Sequence, residues 1–271
     1  MVSPYPSVAA RYSIIRCGGC GHHFAIGPED DATLERAYDA SFHGSSQQIP
    51  GSATSPAGFN ARHRARKLGN SGLCGRLLDI GAGHGSFVEA AGAWFSAEGL
   101  ESSPTVAQSA RDRGLSVATG AFPATIPTHR FDVITLWDVL AGLRDLHAAV
   151  DGVARALMPG GCVVFTVPLV SSRAARWAGR FWPLLIPPVN LHYFTQRSVR
   201  ILLEGHGFRV GRIATEPKRV AADFLLRKAL RSARMGGLEP YLGWIPLKGS
   251  INVDLGDILT VCAFSKRRDG P

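Results

Sequence analysis

A mostly parallel, doubly wound sheet covered by helices on both faces is the α/β fold class that the sequence predicts, and three observations predict it. Short apolar runs alternate with helical patterns from Arg76 onward. A glycine-rich turn, GAGHG (Gly81 to Gly85), directly follows the first of those runs. The pair Ser103-Pro104 stands where the second run gives way to a helix, serine being suited to cap free amides and proline to take the first helical position.

The elements follow in order. Residues 1–45 carry Cys17-x-x-Cys20 and are expected to form an N-terminal appendage. Residues 46–75, within a region whose start (Ser41 to Asn60) is rich in Ser, Gly and Pro, are expected to be a linker and a lead-in helix. From there GRLLDIG, SAEGLES and LSVATG read as strands, and HGSFVEAAGAWF and SPTVAQSARDRG as helices between them. FDVITLWD (Phe131 to Asp138) is the next strand, LRDLHAAVDGVARALM (Leu143 to Met158) a helix and, after a PGG turn, CVVFTVP (Cys162 to Pro168) another strand. TQRSVRILLEGHG reads as a helix capped by Thr195, FRVGRIA as a strand, Arg219 to Arg234 as a basic helical stretch and ILTVCAFS (Ile258 to Ser265) as the last strand. Residues 76–271 thus form the main domain, with an insertion at 171–195 and a basic helical segment at 217–250.

Composition narrows the function classes. With 45% hydrophobic residues in 271, the chain can bury a substantial core. Its apolar stretches, such as WPLLIPPV (Trp182 to Val189), are short and broken by proline, below the ~20 residues of a spanning helix. The start, MVSPYPSVAARYS, lacks the charged and apolar regions of a signal peptide, so a cytoplasmic location is expected. Five cysteines at 17, 20, 74, 162 and 262 do not suggest a disulfide framework. The net charge of +9, from 25 arginines against 5 lysines, raises nucleic acid, anionic lipid and phosphorylated substrates as partners. Its densest cluster, RHRARK (Arg62 to Lys67), is read as the solvated face of a helix rather than as a nucleic-acid patch.

Alternating glycines at the end of a strand let a ligand approach the backbone, because no side chain intrudes. A dinucleotide site wants G-x-G-x-x-G, but from Gly81 the chain reads GAGHGS, so its third glycine comes one residue early. S-adenosylmethionine carries an ammonium, a carboxylate, a sulfonium and an adenosine, and no phosphate. Asp79, two residues before Gly81, is placed to organise the loop amides and the amino-acid end of such a ligand, with Gly81 and Gly83 lining the approach. Glu101, at the end of the next apolar run, is placed to accept from two ribose hydroxyls, with Ser102 beside it. Glu101 alone does not separate the two cofactors, since a nicotinamide dinucleotide uses an acid there too.

At this point the chain resembles the class I S-adenosylmethionine-dependent methyltransferases, in particular a bacterial branch that includes ubiquinone-biosynthesis-like enzymes (types 23, 11 and 12). LLDIGAGHGSF, GLESSP, FDVITLWDVL, ALMPGG, VVFTVP, NLHYFT and LLEGHGF carry the resemblance. It implies a Rossmann-like seven-stranded sheet with an antiparallel last strand. It also implies that Trp137 and Asp138 lie beside the reacting methyl group, Trp137 being equally readable as core. After the third strand, where relatives often place an acid that accepts from the adenine amino group, this chain has Gly120-Ala121-Phe122, and backbone at Ala121 or Phe122 is expected to substitute, with Phe122 against the adenine ring. The stretches YSIIRCGGCGHHF and LERAYDASF look like the start of this branch, whose members often bind zinc through two C-x-x-C pairs. Only Cys17 and Cys20 are present here, whereas a closed zinc site needs four ligands.

Relatives usually read D-V-L-E-H where this chain has Asp138-Val139-Leu140-Ala141-Gly142, and E-H-L-H-Y-F where it has Val189-Asn190-Leu191-His192-Tyr193-Phe194. His192 is then the candidate catalytic base for a hydroxyl acceptor, or else a loop histidine bonded to backbone. SRAARWAGRFWPLLIPPV and DFLLRKALRSARMGG suggest a hydrophobic or lipid- or glycan-linked acceptor and peripheral contact with an anionic membrane, an ordinary lid being the alternative. Methylation of nucleic acid is disfavoured, since WDVL stands where base-amine methylating enzymes carry an N/D-P-P-Y/F turn. The expectation is an O-methyltransferase; the alternatives are a non-catalytic binding or scaffold protein of the same fold and, more distantly, a nicotinamide dehydrogenase.

Overall fold

The computed structural model describes residues 12–27, 55–221 and 250–266. The sequence LERAYDASF (Leu34 to Phe42), and the basic helical segment over residues 222–249, lie outside the described residues.

Twelve strands are described: β1 (Ser13–Arg16), β2 (His23–Ile26), β3 (Arg76–Ile80), β4 (Ser96–Glu101), β5 (Val117–Thr119), β6 (Phe131–Leu136), β7 (Leu157–Pro168), β8 (His192–Tyr193), β9 (Phe208–Thr215), β10 (Lys218–Ala221), β11 (Ser250–Val253) and β12 (Ile258–Ser265). The helices are α1 (Pro56–Gly69), α2 (Ser86–Ala91), α3 (Pro104–Arg111), α4 (Leu146–Ala156), α5 (Arg173–Ala178) and α6 (Gln196–Gly205).

Seven strands form the main sheet in the order β5-β4-β3-β6-β7-β12-β9. The pairs from β5 to β7 are parallel, and β12 runs antiparallel to both β7 and β9. The expected antiparallel last strand is therefore present, inserted next to the edge. The strand order reverses between β3 and β6, which opens a crevice at their carboxyl ends.

The period-two pattern of the strands separates two apolar layers. Leu77 of β3 and Val133 of β6 face α1 and α2 and pack with Ala61, Ala65, Leu68 and Phe87. Leu78, Ile80, Ile134 and Leu136 face the other way, toward α4 and α6. By the same alternation Asp79 and Thr135 fall on the α1 side, polar residues inside an apolar layer.

Two strand pairings go beyond expectation. In the described part of the appendage, residues 12–27, β1 and β2 join β8 in one antiparallel sheet: Phe24 pairs with His192 and His23 with Tyr193. Lys218–Ala221, expected to open a helical stretch, is a strand paired with Ser250–Val253. Local pattern does not reveal either pairing, since each partner is remote in sequence.

Candidate functional site

The glycine loop sits at the crevice. The amides of Gly81 and Ala82 donate to the Leu100 carbonyl at 2.8 and 3.1 Å, which ties the loop to the end of β4. Gly81 has φ +73° and a Cβ there would run into Val139. Gly83, with φ +54°, differs: a Cβ would meet nothing within 4 Å. Gly81 is required by packing, while Gly83 faces open space that a ligand can enter.

Glu101, only 3% exposed, organises the loop. Its Oε2 accepts from the Gly83 amide at 2.9 Å, and its Oε1 from the Ser103 amide at 3.0 Å and the Ser102 hydroxyl at 3.3 Å. A carboxylate has about four acceptor positions, so capacity for a hydroxyl remains, most directly on Oε2. The expectation that Asp79 organises the loop amides is corrected: Glu101 and the Leu100 carbonyl hold them. Asp79 instead accepts from the Thr135 hydroxyl at 2.6 Å, across to β6. Burial pushes the Asp79 carboxyl up to about 7; the Thr135 hydroxyl and Arg64 oppose that shift and Glu101 adds to it.

Trp137 and Asp138 close β6 at the same edge. The Trp137 ring packs edge-on against Phe87 at 5.2 Å between centroids, and its Nε1 is a buried donor without a partner among the described residues. Asp138 takes φ +62°, uncommon for a residue with a side chain. Its amide donates to Thr166 Oγ1 at 2.8 Å and the Thr166 hydroxyl donates back to Asp138 Oδ1 at 3.0 Å.

Arg64 completes this end. Its guanidinium lies 4.5 Å from the Trp137 ring centroid and 3.5 Å from Asp138 Oδ2, with the side chain 16% exposed. The reading of RHRARK as a solvated face holds for exposed Arg62 and Arg66 and fails for Arg64. Arg64 stands three residues after buried Ala61 and four before buried Leu68, so helical spacing turns it to the sheet. That spacing was the available signal. A shallow cleft opens beside it, lined by Asn60, His63, Arg64, Thr166, Glu216 and Thr260 among others.

The loop carrying His192 meets this edge from the other side. The Leu191 amide donates to the Ala141 carbonyl at 2.7 Å, and a Cβ on Gly142 would lie 2.8 Å from the Val189 carbonyl oxygen. The small pair Ala141-Gly142, where the family resemblance leads one to expect Glu-His, is thus covered by loop backbone. His192 Nε2 lies 3.3 Å from the Arg144 carbonyl and Nδ1 3.1 Å from His22 Nε2. A carbonyl only accepts, so Nε2 carries the proton and Nδ1 accepts from His22. This is the backbone-bonded arrangement that the sequence left open beside the base role. Burial lowers the affinity of both rings for a proton, and His22 falls to about 4 with the neighbouring His192 and His23 contributing.

Phe122 is half-buried, packed toward Gly152 of α4, and Ser102 is exposed beside Glu101. Cys17 and Cys20 lie close together in the turn between β1 and β2, and among the described residues no group of three or more His, Cys, Asp or Glu side chains could hold a metal.

A family model described as a methyltransferase domain matches residues 56–212, more than half of the chain. The chain belongs to this family. Similar solved folds include YcgJ from Bacillus subtilis, at 15% identity over 76% of this chain and 99% of that one with a TM-score of 0.55. A protein from Thermotoga maritima described as a S-adenosylmethionine-dependent methyltransferase, a possible histamine N-methyltransferase, is 17% identical over 78% and 89%, TM-score 0.52. The magnesium protoporphyrin IX methyltransferase of Synechocystis, solved with bound S-adenosylmethionine, is 14% identical over 88% and 99%, TM-score 0.55. No curated protein sequence matches significantly. The methyltransferase domain spans α1, the glycine loop, the β6 edge and the loop of His192. The cofactor of this class I family, S-adenosylmethionine, suits the site: open space before Gly83 adjoins a carboxylate with acceptor capacity, and α2 starts without a dinucleotide fingerprint.

Proposed function

We propose that this methyltransferase methylates an oxygen of a hydrophobic or lipid- or glycan-linked acceptor, in the cleft beside Arg64 and Thr166. The observation that carries the assignment of the cofactor half is the Glu101 carboxylate, fixed by two backbone amides next to the open face of Gly83. Asp79, Gly81, Gly83, Glu101 and Ser102 hold the amino-acid and ribose portions, with Phe122 toward the adenine and Trp137 beside the reacting centre. S-adenosylmethionine supplies, when bound, a methyl group on a sulfonium, a good leaving group, so alignment carries most of the catalysis.

What the chain adds on the acceptor side is orientation and a place for the hydroxyl proton. The Asp138 carboxylate, set by Thr166 and Arg64 at the end of β6 and 33% exposed, is the acceptor for that proton. His192 reaches that role only if its contact with His22 opens, because both of its ring nitrogens are engaged. Absence of turnover in a sample that binds the cofactor would favour a scaffold protein instead. The test measures turnover on hydrophobic alcohols and phenols for Asp138→Asn and His192→Ala alongside cofactor affinity. Asn tolerates the positive φ, so Asp138→Asn removes charge without forcing the backbone. Loss of turnover in Asp138→Asn with unchanged affinity supports the assignment; loss in His192→Ala alone returns the proton to the imidazole.

A further inference from the structure

Two tryptophans five residues apart in one segment have opposite fates. Trp182 is 3% exposed, its Nε1 donates to Asp257 at 2.9 Å and its ring packs with Tyr193. Trp177 is 93% exposed. The helix explains the split: α5 is capped by Ser172 and turns Ala175 and Ala178 inward, so Arg173, Arg176 and Trp177 share the outer face. Arg180 and Phe181 follow in the next turn, both exposed, with the Arg180 guanidinium 4.9 Å from the Phe181 ring centroid.

Leu169 to Val189 contains no Asp or Glu, and neither Arg173 nor Arg176 has an ion-pair partner among the described residues. The adjoining loop, tied in by the Asp257 contacts, presents Leu255 at 52% exposed. The segment leaves the main sheet after Pro168, the carboxyl end of β7, and so projects from the edge that carries the site.

We infer that the face of Arg173, Arg176, Trp177, Arg180 and Phe181 docks on an anionic lipid surface. An indole is amphipathic and settles at the headgroup level, where its ring leaves water and its N–H stays hydrated. Arginines around it bury their stems and place their charges among anionic headgroups. The chain's net charge of +9 attracts it to the same surface. No helix among the described residues is long and apolar enough to cross a membrane, and a docked face needs none. The inference deepens the reading of a hydrophobic acceptor, which docking would bring within reach of the site, but the contact itself does not depend on methyl transfer.

Co-sedimentation of the full chain with vesicles tests it, using phosphatidylglycerol mixed with phosphatidylcholine against phosphatidylcholine alone. The expected result is binding to the anionic vesicles that weakens with salt. Each Arg→Gln change at 173, 176 or 180 should weaken it about fivefold, the contribution of one cation near an anionic surface. Trp177→Ala should weaken it about tenfold and Trp177→Phe much less. Quenching by brominated lipid should be strong in the wild type and largely lost in Trp177→Phe. Because Trp177 packs against so little, these variants should keep wild-type S-adenosylmethionine affinity, measured on the same samples. Failure of the wild type to bind anionic vesicles, or wild-type binding by Trp177→Ala, overturns the inference. Cofactor binding without vesicle binding sinks the docking and leaves the methyltransferase reading intact; vesicle binding without cofactor binding does the reverse.

Discussion

Two halves of one sheet edge divide the work differently. On the side of β3 and β4, the demands come from the loop backbone and the end of the neighbouring strand: the Leu100 carbonyl holds the amides of Gly81 and Ala82, Gly83 opens the approach, and Glu101 fixes the amide of Gly83. On the side of β6, β7 and β12, the contacts come from distant segments. Arg64 of α1 reaches Trp137 and Asp138, Thr166 of β7 holds Asp138, and the loop before β8 covers Ala141 and Gly142. A shared cofactor constrains the first half to a short motif. The second is shaped by tertiary packing.

The largest effect should come from forcing the acceptor half back toward its relatives. Ala141→Glu places a carboxylate at a site 1% exposed, under the Leu191 amide contact, and should destabilise by about 3 kcal/mol or more, measured by urea denaturation. A small change would mean that the loop moves aside readily, and that the absence of the Glu-His pair does not reflect filled space. On the cofactor half, Glu101→Ala removes the partner of two backbone amides and should weaken S-adenosylmethionine binding about hundredfold. Unchanged affinity would remove Glu101 from the site.

Arg64→Gln couples the halves and should have an intermediate effect, about tenfold on affinity or turnover, by removing the cation that stabilises the Asp79 carboxylate and covers Trp137. If both parameters stay at wild-type values, Arg64 is only packing.

Two pH effects are smaller and opposite in sign. Asp79 is held near 7, above its unfolded value, so the stability it contributes is present at low pH and is lost as pH rises toward and through about 7. Ligand binding beside it should favour the ionised form, so cofactor affinity should rise with pH through about 7 and flatten in Asp79→Asn. His22 is held near 4, below its unfolded value, so its contribution is complete above the ordinary imidazole range and is lost as pH falls toward 4. His22→Asn should reduce that loss in thermal unfolding scans between those limits. A wild-type slope in the variant would show that the ring titrates normally.

What the sequence made legible tracks this same division. The strand and helix alternation and the glycine loop with its acid are local patterns, the strand that runs antiparallel was implied by the family resemblance, and all are present. Arg64 was obscured by the cations around it, although its spacing from Ala61 and Leu68 points inward. The sheet that joins β2 to β8 was not legible, because a two-residue strand has no pattern of its own and its partner lies about 170 residues away. The same pairing brings His22 to His192, which changes an apparent base into a bonded ring. Ala141 and Gly142 looked like a loss, and the structure shows the backbone that fills the space.

The measurement that tests the account most directly is a parallel calorimetric titration of the purified chain with S-adenosylmethionine, its demethylated product and NAD. The account predicts binding of the first two and none of the third, with the response of Glu101→Ala collapsed. Binding of NAD alone, or no binding of S-adenosylmethionine to a folded sample, would contradict it.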